Sequence, residues 1–399
     1  MFYKTRLDKN YKYLKKYNLI IMEKMKYFLN LFLLSLLISS INSTFQTDIF
    51  TEINKDKKGE NLIISPLSIY QVLSLLANGA NGETQSEMLR TLGSNTIDEL
   101  NDINFKILSR SAIFTTIDIA NAVMARYQPL DDFCSIAEKY LAPMETLKSV
   151  EQVNNWCSEK THGKIEKIIE ELSPETIMIL LNAVYFKGEW ISPFEKESNI
   201  KLPFYNLGKE KKILETMVQV EHFRYFENSD VQAIELPFRE DFMSAIIILP
   251  SEKTDINKYI ENKLNQNSNL NEIINNLEYA KVHLELPKFE LEFSELLNDV
   301  MKKLGMKKIF ISGEADLSGL YKNGDLFVSK IIHKTYLKVN EVGTEAAAIT
   351  LVAVDEAAFE ERKEIIHKMK VNRPFLFLLK NSRLPDGYNM VFISKIEKI

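Results

Sequence analysis

The stretch at residues 339–350, VNEVGTEAAAIT, constrains the fold of this chain more than any other segment. Successive side chains of a strand point to opposite faces, so every second residue shares a face. From Thr344 onward one face is free of charge, and it comprises Thr344, Ala346, Ala348, Thr350, Val352 and Val354. The other face carries both charges, and it comprises Glu345, Ala347, Ile349, Leu351, Ala353 and Asp355. This pattern is typical of a core strand, yet the charged residues 355–370 that follow are typical of an exposed loop. The sequence therefore indicates a strand that has not yet joined a sheet.

A helix that begins at Thr344 is the alternative. Thr344 suits a helix cap, Glu345 suits a first turn, and the alanines at 346–348 favour helix. The β-branched residues from Ile349 onward oppose it, because they lose rotamer freedom in a helix. Composition alone leaves helix and strand open here.

Length and composition bound the class of protein. The chain has 399 residues, of which 45% are hydrophobic and 26% charged, as in a folded protein and unlike a disordered one. No break in composition marks a linker, so we expect one α+β domain over residues 44–399. A net charge of −5 gives no electrostatic case for nucleic acid as a partner. Two cysteines, Cys134 and Cys157, form no disulfide framework, and we expect two buried thiols, although an oxidising compartment would let them pair.

The first 43 residues have the layout of a leader followed by a secretory signal peptide. Lys24 and Lys26 precede a mostly apolar run at residues 27–38, and small residues follow as far as Ser43. The run is short for a membrane span, which needs about 20 residues. We therefore expect a secreted, extracellular protein.

Hydrophobic patterns predict helices and strands that interleave along the chain. Residues Pro66–Ala77 indicate a buried helix with Ser65 as its cap. Residues 150–172 predict an amphipathic helix with an interruption near its middle. The apolar run 177–186 is typical of a strand covered on both faces.

Enzyme templates are missing from the sequence. It contains no GxSxG, no HExxH, no P-loop and no dinucleotide glycine signature. Its five histidines show no ligand spacing, so we expect neither a metal nor a cofactor. Asn182 and His333 each lie in an apolar, strand-like run. Because a buried amide or imidazole without a partner is costly, we predict a hydrogen bond between these two side chains.

An ordered set of motifs covers nearly the whole chain after residue 43 and resembles the serpin family. Each motif alone would be weak, whereas the set in this order is highly specific. The motifs are NLIISPLSIY at 61–70, NW at 155–156, THGKI at 161–165, LNAVYFKGEW at 181–190, LPKF at 286–289, ADLSGL at 315–320 and RPF at 373–375. The chain resembles a secreted serpin, which implies a protease inhibitor and not an enzyme.

The resemblance implies an α+β fold with three β-sheets, eight or nine helices and an exposed reactive-centre loop. It also implies roles for particular residues. The shutter, the region beneath the sheet that parts for insertion, comprises Ser65, Ser68, Asn182 and His333. The breach, where insertion begins, contains Trp190 and Lys288, and Lys288 is expected to pair with Glu341 at the base of the loop. The proximal hinge comprises Glu341, Gly343, Thr344, Glu345, Ala346, Ala347 and Ala348.

The same resemblance implies a suicide-substrate mechanism. A serine protease cleaves the loop and forms an acyl-enzyme, and loop insertion then carries the protease along and distorts its active site. Insertion requires small, uncharged inward side chains, which Thr344, Ala346 and Ala348 provide. We therefore expect an inhibitor that forms a covalent protease complex, acts as a monomer and has no membrane partner. A non-inhibitory serpin that works as a binding or carrier protein is the alternative.

Two ways of counting residues place the bond that the protease cleaves at different positions. Counting forward from Glu341 reaches Ala357–Ala358, which suits an elastase-like target. Counting back from the RPF motif favours Arg362–Lys363, which suits a trypsin-like one, and Phe359 between them would suit a chymotrypsin-like pocket. Glu356 is the first charge on the inward face, so easy insertion should end near it. We therefore choose Ala357–Ala358.

Overall fold

The computed structural model describes residues 44–111, 117–142, 144–240, 242–264, 267–322, 326–344 and 365–399. The predicted leader and signal peptide, the hinge residues 345–348 and the candidate bonds Ala357–Ala358 and Arg362–Lys363 lie outside these ranges. Within the described ranges, no helix is both long enough and apolar enough to span a membrane.

The described residues form nine α-helices, in agreement with the predicted eight or nine. They are α1 (Phe45–Asp56), α2 (Pro66–Ala77), α3 (Gly82–Leu92), α4 (Ile97–Ser111), α5 (Asp131–Lys139), α6 (Val150–Lys160), α7 (Ile256–Tyr259), α8 (Asn267–Asn275) and α9 (Asn298–Leu304). Helix α2 begins as predicted, because Pro66 occupies its first turn and the Ser65 side chain accepts a hydrogen bond from the backbone N–H of Ser68.

Sixteen strands occupy much of the remaining described chain. They are β1 (Leu62–Ile64), β2 (Ile117–Ala125), β3 (Met144–Thr146), β4 (Met178–Phe186), β5 (Gly188–Glu189), β6 (Ile200–Asn206), β7 (Glu210–Glu227), β8 (Val231–Pro237), β9 (Met243–Pro250), β10 (Glu278–Pro287), β11 (Phe289–Leu296), β12 (Lys330–Val339), β13 (Gly343–Thr344), β14 (Ile366–Lys370), β15 (Phe375–Asn381) and β16 (Met390–Ile396). The predicted covered strand is therefore present as β4, and all of its residues are buried.

Three sheets contain these strands, as predicted. The largest has nine strands in the order β1-β16-β15-β9-β8-β7-β10-β14, with β6 paired to β7. A five-stranded sheet has the order β11-β12-β4-β2-β3, and β13 pairs with β5 in the third. Helix α2 lies between the two large sheets, packed against β16 on one side and against β2 and β4 on the other. Every residue of α2 is buried as a result.

One predicted helix is only half present. Residues 150–172 form helix α6 only as far as Lys160, and residues 164–172 are not helical. The helix ends before His162 and Gly163, which have left-handed φ angles of 52° and 75°. The side chain of Asn154 replaces helical hydrogen bonds beyond that point. Its Oδ1 accepts from the N–H groups of Ile168 and Ile169, at 2.8 and 3.0 Å. Ile168 and Ile169 are buried, as the apolar periodicity predicted, but they are not helical, and an amide side chain accepts the hydrogen bonds of their N–H groups.

The two cysteines are free thiols. Cys157 on α6 is buried as expected, whereas Cys134 on α5 is partly exposed, so the expectation of two buried thiols was wrong for Cys134. Burial raises the pKa of the Cys157 thiol to about 12, which keeps it protonated and unreactive.

Candidate functional site

The candidate site lies where the two central strands of the five-stranded sheet run side by side. Strands β4 and β12 are parallel neighbours, paired from Ile179 with Lys330 to Tyr185 with Tyr336. Asn182 and His333 are directly opposite each other in this register. Both side chains are fully buried. A polar pair therefore occupies the middle of an apolar ladder.

The predicted hydrogen bond between Asn182 and His333 is present. Oδ1 of Asn182 contacts Nδ1 of His333. On the other side of the ring, Nε2 of His333 accepts a hydrogen bond from the backbone N–H of Ser65 at 3.2 Å. Because Nε2 accepts, the proton must reside on Nδ1, which donates to Asn182. Ser65 is thus both the cap of α2 and the residue that fixes the tautomer of His333.

Two further side chains complete the hydrogen bonds of Asn182. The hydroxyl of Ser68 lies 2.9 Å from Oδ1 of Asn182. The amide nitrogen of Asn182 donates to Oδ1 of Asn121 on β2. The four predicted shutter residues therefore converge beneath the sheet, joined by Asn121. Sequence reasoning missed Asn121, for which a single amide among the small and aliphatic residues of β2 was the only signal.

Burial determines the charge of the central imidazole. The apolar surroundings lower the pKa of His333 to about 3, since the protonated ring would lose its hydration without gaining a carboxylate. The ring is therefore neutral across the physiological range, which its role as acceptor from Ser65 also requires.

Beyond β12 the chain reverses direction in a tight turn. The side chain of Asn340 accepts hydrogen bonds from the N–H groups of Val342 and Gly343, at 3.0 and 3.2 Å. Gly343 has a φ of 149°, and a Cβ at this position would lie 2.0 Å from the carbonyl oxygen of Gly188. Only glycine fits such a close backbone approach. The glycine that interrupts the strand pattern in the sequence therefore has a steric reason.

The last two described residues of this segment, Gly343 and Thr344, pair as a strand. Gly343 and Thr344 form the short strand β13, antiparallel to Glu189 and Gly188 of β5. Thr344 is fully buried, and its hydroxyl accepts a hydrogen bond from the N–H of Gly188 at 2.7 Å. The first residue of the charge-free face therefore already points inward.

Trp190 anchors the turn to the top of the sheet. Its ring is buried and stacks on Phe238 with centroids 4.4 Å apart. Its indole N–H donates to the carbonyl of Asn340 at 3.0 Å, and its backbone N–H donates to the carbonyl of Val342 at 2.9 Å. The predicted breach residue therefore contacts the base of the loop directly.

The predicted ion pair between Lys288 and Glu341 is present at 3.0 Å. Lys288 also pairs with Glu215 at 2.9 Å, and the side-chain amide of Asn199 donates to both carboxylates. Burial alone would raise the pKa of Glu341, but a backbone hydrogen bond and the Lys288 ammonium outweigh it, so its pKa lies below the usual range. Asn199 is a second residue that sequence reasoning missed.

Nothing in this arrangement resembles a metal site. Across the described part of the chain, no group of three or more His, Cys, Asp or Glu side chains is placed to hold a metal ion.

Comparisons with known proteins agree with this geometry. The family model described as "Serpin (serine protease inhibitor)" matches residues 40–396. The chain is a serpin. It therefore belongs to a family of protease inhibitors and not of enzymes.

Named relatives and a solved structure support the assignment. A leukocyte elastase inhibitor of Xenopus tropicalis is 31% identical over 366 residues, which cover 86% of this chain and 96% of that protein. Iripin-2 of Ixodes ricinus is 34% identical over 365 residues, which cover 85% of this chain and 88% of that protein. The native state of the thermophilic serpin tengpin superposes with a TM-score of 0.80 at 30% identity, covering 90% of this serpin and 94% of tengpin.

The neutral imidazole of His333 makes the stability of this serpin depend on pH. The unfolded chain binds a proton below the ordinary histidine pKa of about 6.5, whereas the folded chain resists protonation down to about 3. The free energy of unfolding should therefore fall as the pH drops from about 6.5 towards 3, by up to about 1.4 kcal/mol per pH unit. Urea unfolding of the wild type and of His333→Gln at several pH values measures this dependence.

Replacing His333 should flatten the decline over that window. His222→Gln, which removes an exposed imidazole, is the matched control. An equally steep decline in His333→Gln and wild type would contradict the assignment of a buried neutral ring.

The close approach at Gly343 predicts a second effect on stability. Gly343→Ala should destabilise the turn by about 1–3 kcal/mol, because the new methyl group collides with the backbone of β5. Gly313→Ala is the control, since Gly313 also has a positive φ, of 79°, but its added Cβ would meet nothing within 4 Å. Urea unfolding midpoints of the two variants provide the comparison, and equal losses would mean that backbone strain, and not the collision, limits position 343.

Proposed function

We propose that this serpin is a secreted suicide-substrate inhibitor of a serine protease. In this proposal the target cleaves the loop between β13 and β14, and the freed amino-terminal part of the loop inserts between β4 and β12. The observation that carries the proposal is the reversal of the chain beyond β12, with Thr344 already buried and paired with Gly188 of β5.

The strand order explains why insertion would be favourable. Strands β4 and β12 are parallel, and the turn at residues 340–343 directs the following chain back along them. A strand that runs back between them would be antiparallel to both. One parallel ladder would be replaced by two antiparallel ladders, which are slightly more stable per residue and add backbone hydrogen bonds on both sides of the new strand. The uninserted strand is thus a store of free energy.

The side chains of the hinge suit this movement. Continuing the parity of Thr344 puts Ala346 and Ala348 on the inward face, where small uncharged groups are needed. Glu345 and Ile349 fall on the outward face. This distribution favours an inhibitor over a carrier, whose loop has no need to enter the sheet.

The shutter and breach would act as the two restraints on opening. Separating β4 from β12 breaks the hydrogen bond between Asn182 and His333, so the shutter opposes spontaneous insertion. The turn above β12 is held by Trp190 and by the Lys288–Glu341 pair. We assign these residues the function of keeping the loop outside the sheet until it is cleaved.

The relatives named as leukocyte elastase inhibitors bear on the choice of target. Of the candidate bonds, Ala357–Ala358 presents the small side chains that an elastase-like pocket accepts. We therefore propose Ala357–Ala358 as the reactive bond and an elastase-like serine protease as the partner, with Arg362–Lys363 as the alternative bond for a trypsin-like one.

An arginine at the first inward position tests the mechanism. Thr344 is already buried before cleavage and stays inward on insertion, so an arginine there could enter the sheet only with its charge buried, and cleavage should continue while the covalent complex is lost. Wild type and variant are incubated with elastase, trypsin and chymotrypsin, SDS-stable complexes are resolved on gels, and mass spectrometry of the carboxy-terminal fragment identifies the bond.

Glu345→Arg is the matched control, because it introduces the same side chain one residue later on the outward face. It should retain most of the complex formed by the wild type. If Thr344→Arg forms as much complex as Glu345→Arg, insertion through this hinge is wrong. If the wild type forms no complex and its heat stability is unchanged by loop cleavage, the carrier function is correct instead.

We also propose that residues 1–43 direct secretion and that residues 44–399 form one serpin domain. The family match begins at residue 40, close to the expected cleavage point. On expression in a secretory cell line, the protein should be found in the culture medium, and peptide sequencing should place its amino terminus near residues 40–44. A form that starts at Thr44 after an initiator methionine is the control and should remain in the cells. Retention of the full-length chain inside the cells would contradict the proposal.

A further inference from the structure

A cleft that contains none of the shutter residues is not used by the proposed mechanism. It has a volume of about 520 Å³, which lies within the range of small-molecule sites. Three connections form its walls: the β6–β7 turn, the segment between β9 and α7, and the segment between β14 and β15 that carries the RPF motif. That motif was singled out in the sequence, and loop insertion gives it no role.

Arg373 is the polar centre of the cleft. Its Nε donates to the carbonyl of Pro250 at 2.9 Å, and its Nη1 donates to Oδ1 of Asn372 at 3.2 Å. A guanidinium carries five N–H donors, so three remain without an acceptor among the described residues. Within that same part of the chain, Glu252 influences the cation only from beyond ion-pair distance. Arg373 is therefore a half-buried cation that lacks a carboxylate.

The charges in the cleft leave the Arg373 cation available to pair with a bound anion. Burial lowers the pKa of Arg373 below its usual value, which reflects the cost of removing the cation from water. The other two acids of the cleft are already engaged. Asp255 accepts from the first N–H groups of α7, and Glu397 pairs with buried Lys395 at 2.6 Å. Exposed Lys209 and Lys253 add positive charge at the rim.

Apolar side chains line the remainder of the cleft. Ile256 and Pro250 are buried at its base, and Leu207 forms part of the wall. Leu207 and Gly208 are the first two residues of the three-residue turn between β6 and β7, with φ values of 54° and 70°. Asparagine or glycine is usual at such a position, and leucine there costs of order 1 kcal/mol in backbone strain. The side chain of Leu207 therefore lines the cleft from a strained backbone position.

From these contacts we infer that the cleft binds a small organic anion, with a carboxylate against the guanidinium of Arg373 and an apolar body against Leu207, Ile256 and Pro250. A single planar cation matches one carboxylate in a bidentate geometry. The volume exceeds what an inorganic ion would fill, and the apolar wall would leave such an ion poorly covered. This inference goes beyond protease inhibition and does not depend on it.

Calorimetric titration of the full-length protein with octanoate tests the site. Octanoate should bind with a stoichiometry of one, and Arg373→Gln should weaken its affinity at least about tenfold, because the charge-assisted hydrogen bonds are lost. Octanamide, which keeps the apolar chain without the charge, should bind correspondingly more weakly. Acetate, which keeps only the head group, should also bind far more weakly than octanoate.

Two further variants separate a binding role from a folding role. Leu207→Gly should reduce octanoate affinity by removing the apolar wall, while glycine tolerates the left-handed backbone and so should not lower the urea unfolding midpoint through strain. Arg90→Gln removes one exposed positive charge from α3, outside the cleft, and this variant should bind octanoate as the wild type does.

The inference is overturned if octanoate fails to bind, if it binds folded Arg373→Gln as tightly as the wild type, or if octanamide binds as tightly as octanoate. Equal affinities for acetate and octanoate, or an unchanged affinity in Leu207→Gly, would reject the apolar half of the site.

Discussion

The structure depends on a buried, neutral histidine on β12, directly opposite Asn182 of the parallel strand β4. His333 accepts from the N-cap residue of α2 through one nitrogen and donates to Asn182 of β4 through the other. Asn182 in turn contacts Ser68 and Asn121, so a helix and three strands meet at one amide. Both ring nitrogens of His333 and both polar atoms of the Asn182 side chain have partners, which makes the network stable while it is closed and costly to open partway. Separating β4 from β12 would break the hydrogen bond between Asn182 and His333 and the backbone ladder between the two strands, and the strand proposed to enter there would supply new backbone bonds to both.

The contacts of the turn explain which residue types the hinge has at positions 343 and 344. The turn above β12 requires glycine at position 343 because two backbones approach each other there, and it requires an inward side chain at Thr344 that bonds to β5. Both constraints belong to the closed state. Beyond Thr344 the sequence continues to alternate uncharged side chains, which is the pattern that the proposed insertion would require. In the proposed mechanism, this one short segment must therefore suit both the closed and the inserted state.

Sequence reasoning succeeded where a side chain has one physically sensible environment. An amide and an imidazole in apolar strands had to find partners, and the capped, proline-initiated pattern of α2 has few other interpretations. It failed where distant residues decide. Asn121 became part of the network through strand register, Asn199 reached Glu341 from a loop, and Asn154 took over the hydrogen bonds that would have continued α6. The partner of Thr344 is Gly188, which lies more than 150 residues earlier in the chain.

The position of the carboxy-terminal strands determines what happens to the fragment that follows the loop after cleavage. Strand β14 pairs with β10, while β15 and β16 are enclosed between β9 and β1. Most of the side chains of β15 and β16 are fully buried, so this end of the chain is a large part of the core of the nine-stranded sheet. A single cut in the loop would therefore not detach it. The product would be a complex of two polypeptides with no covalent link, in which the shorter one completes the fold of the longer, as a donated strand does, and separates only when the whole sheet unfolds.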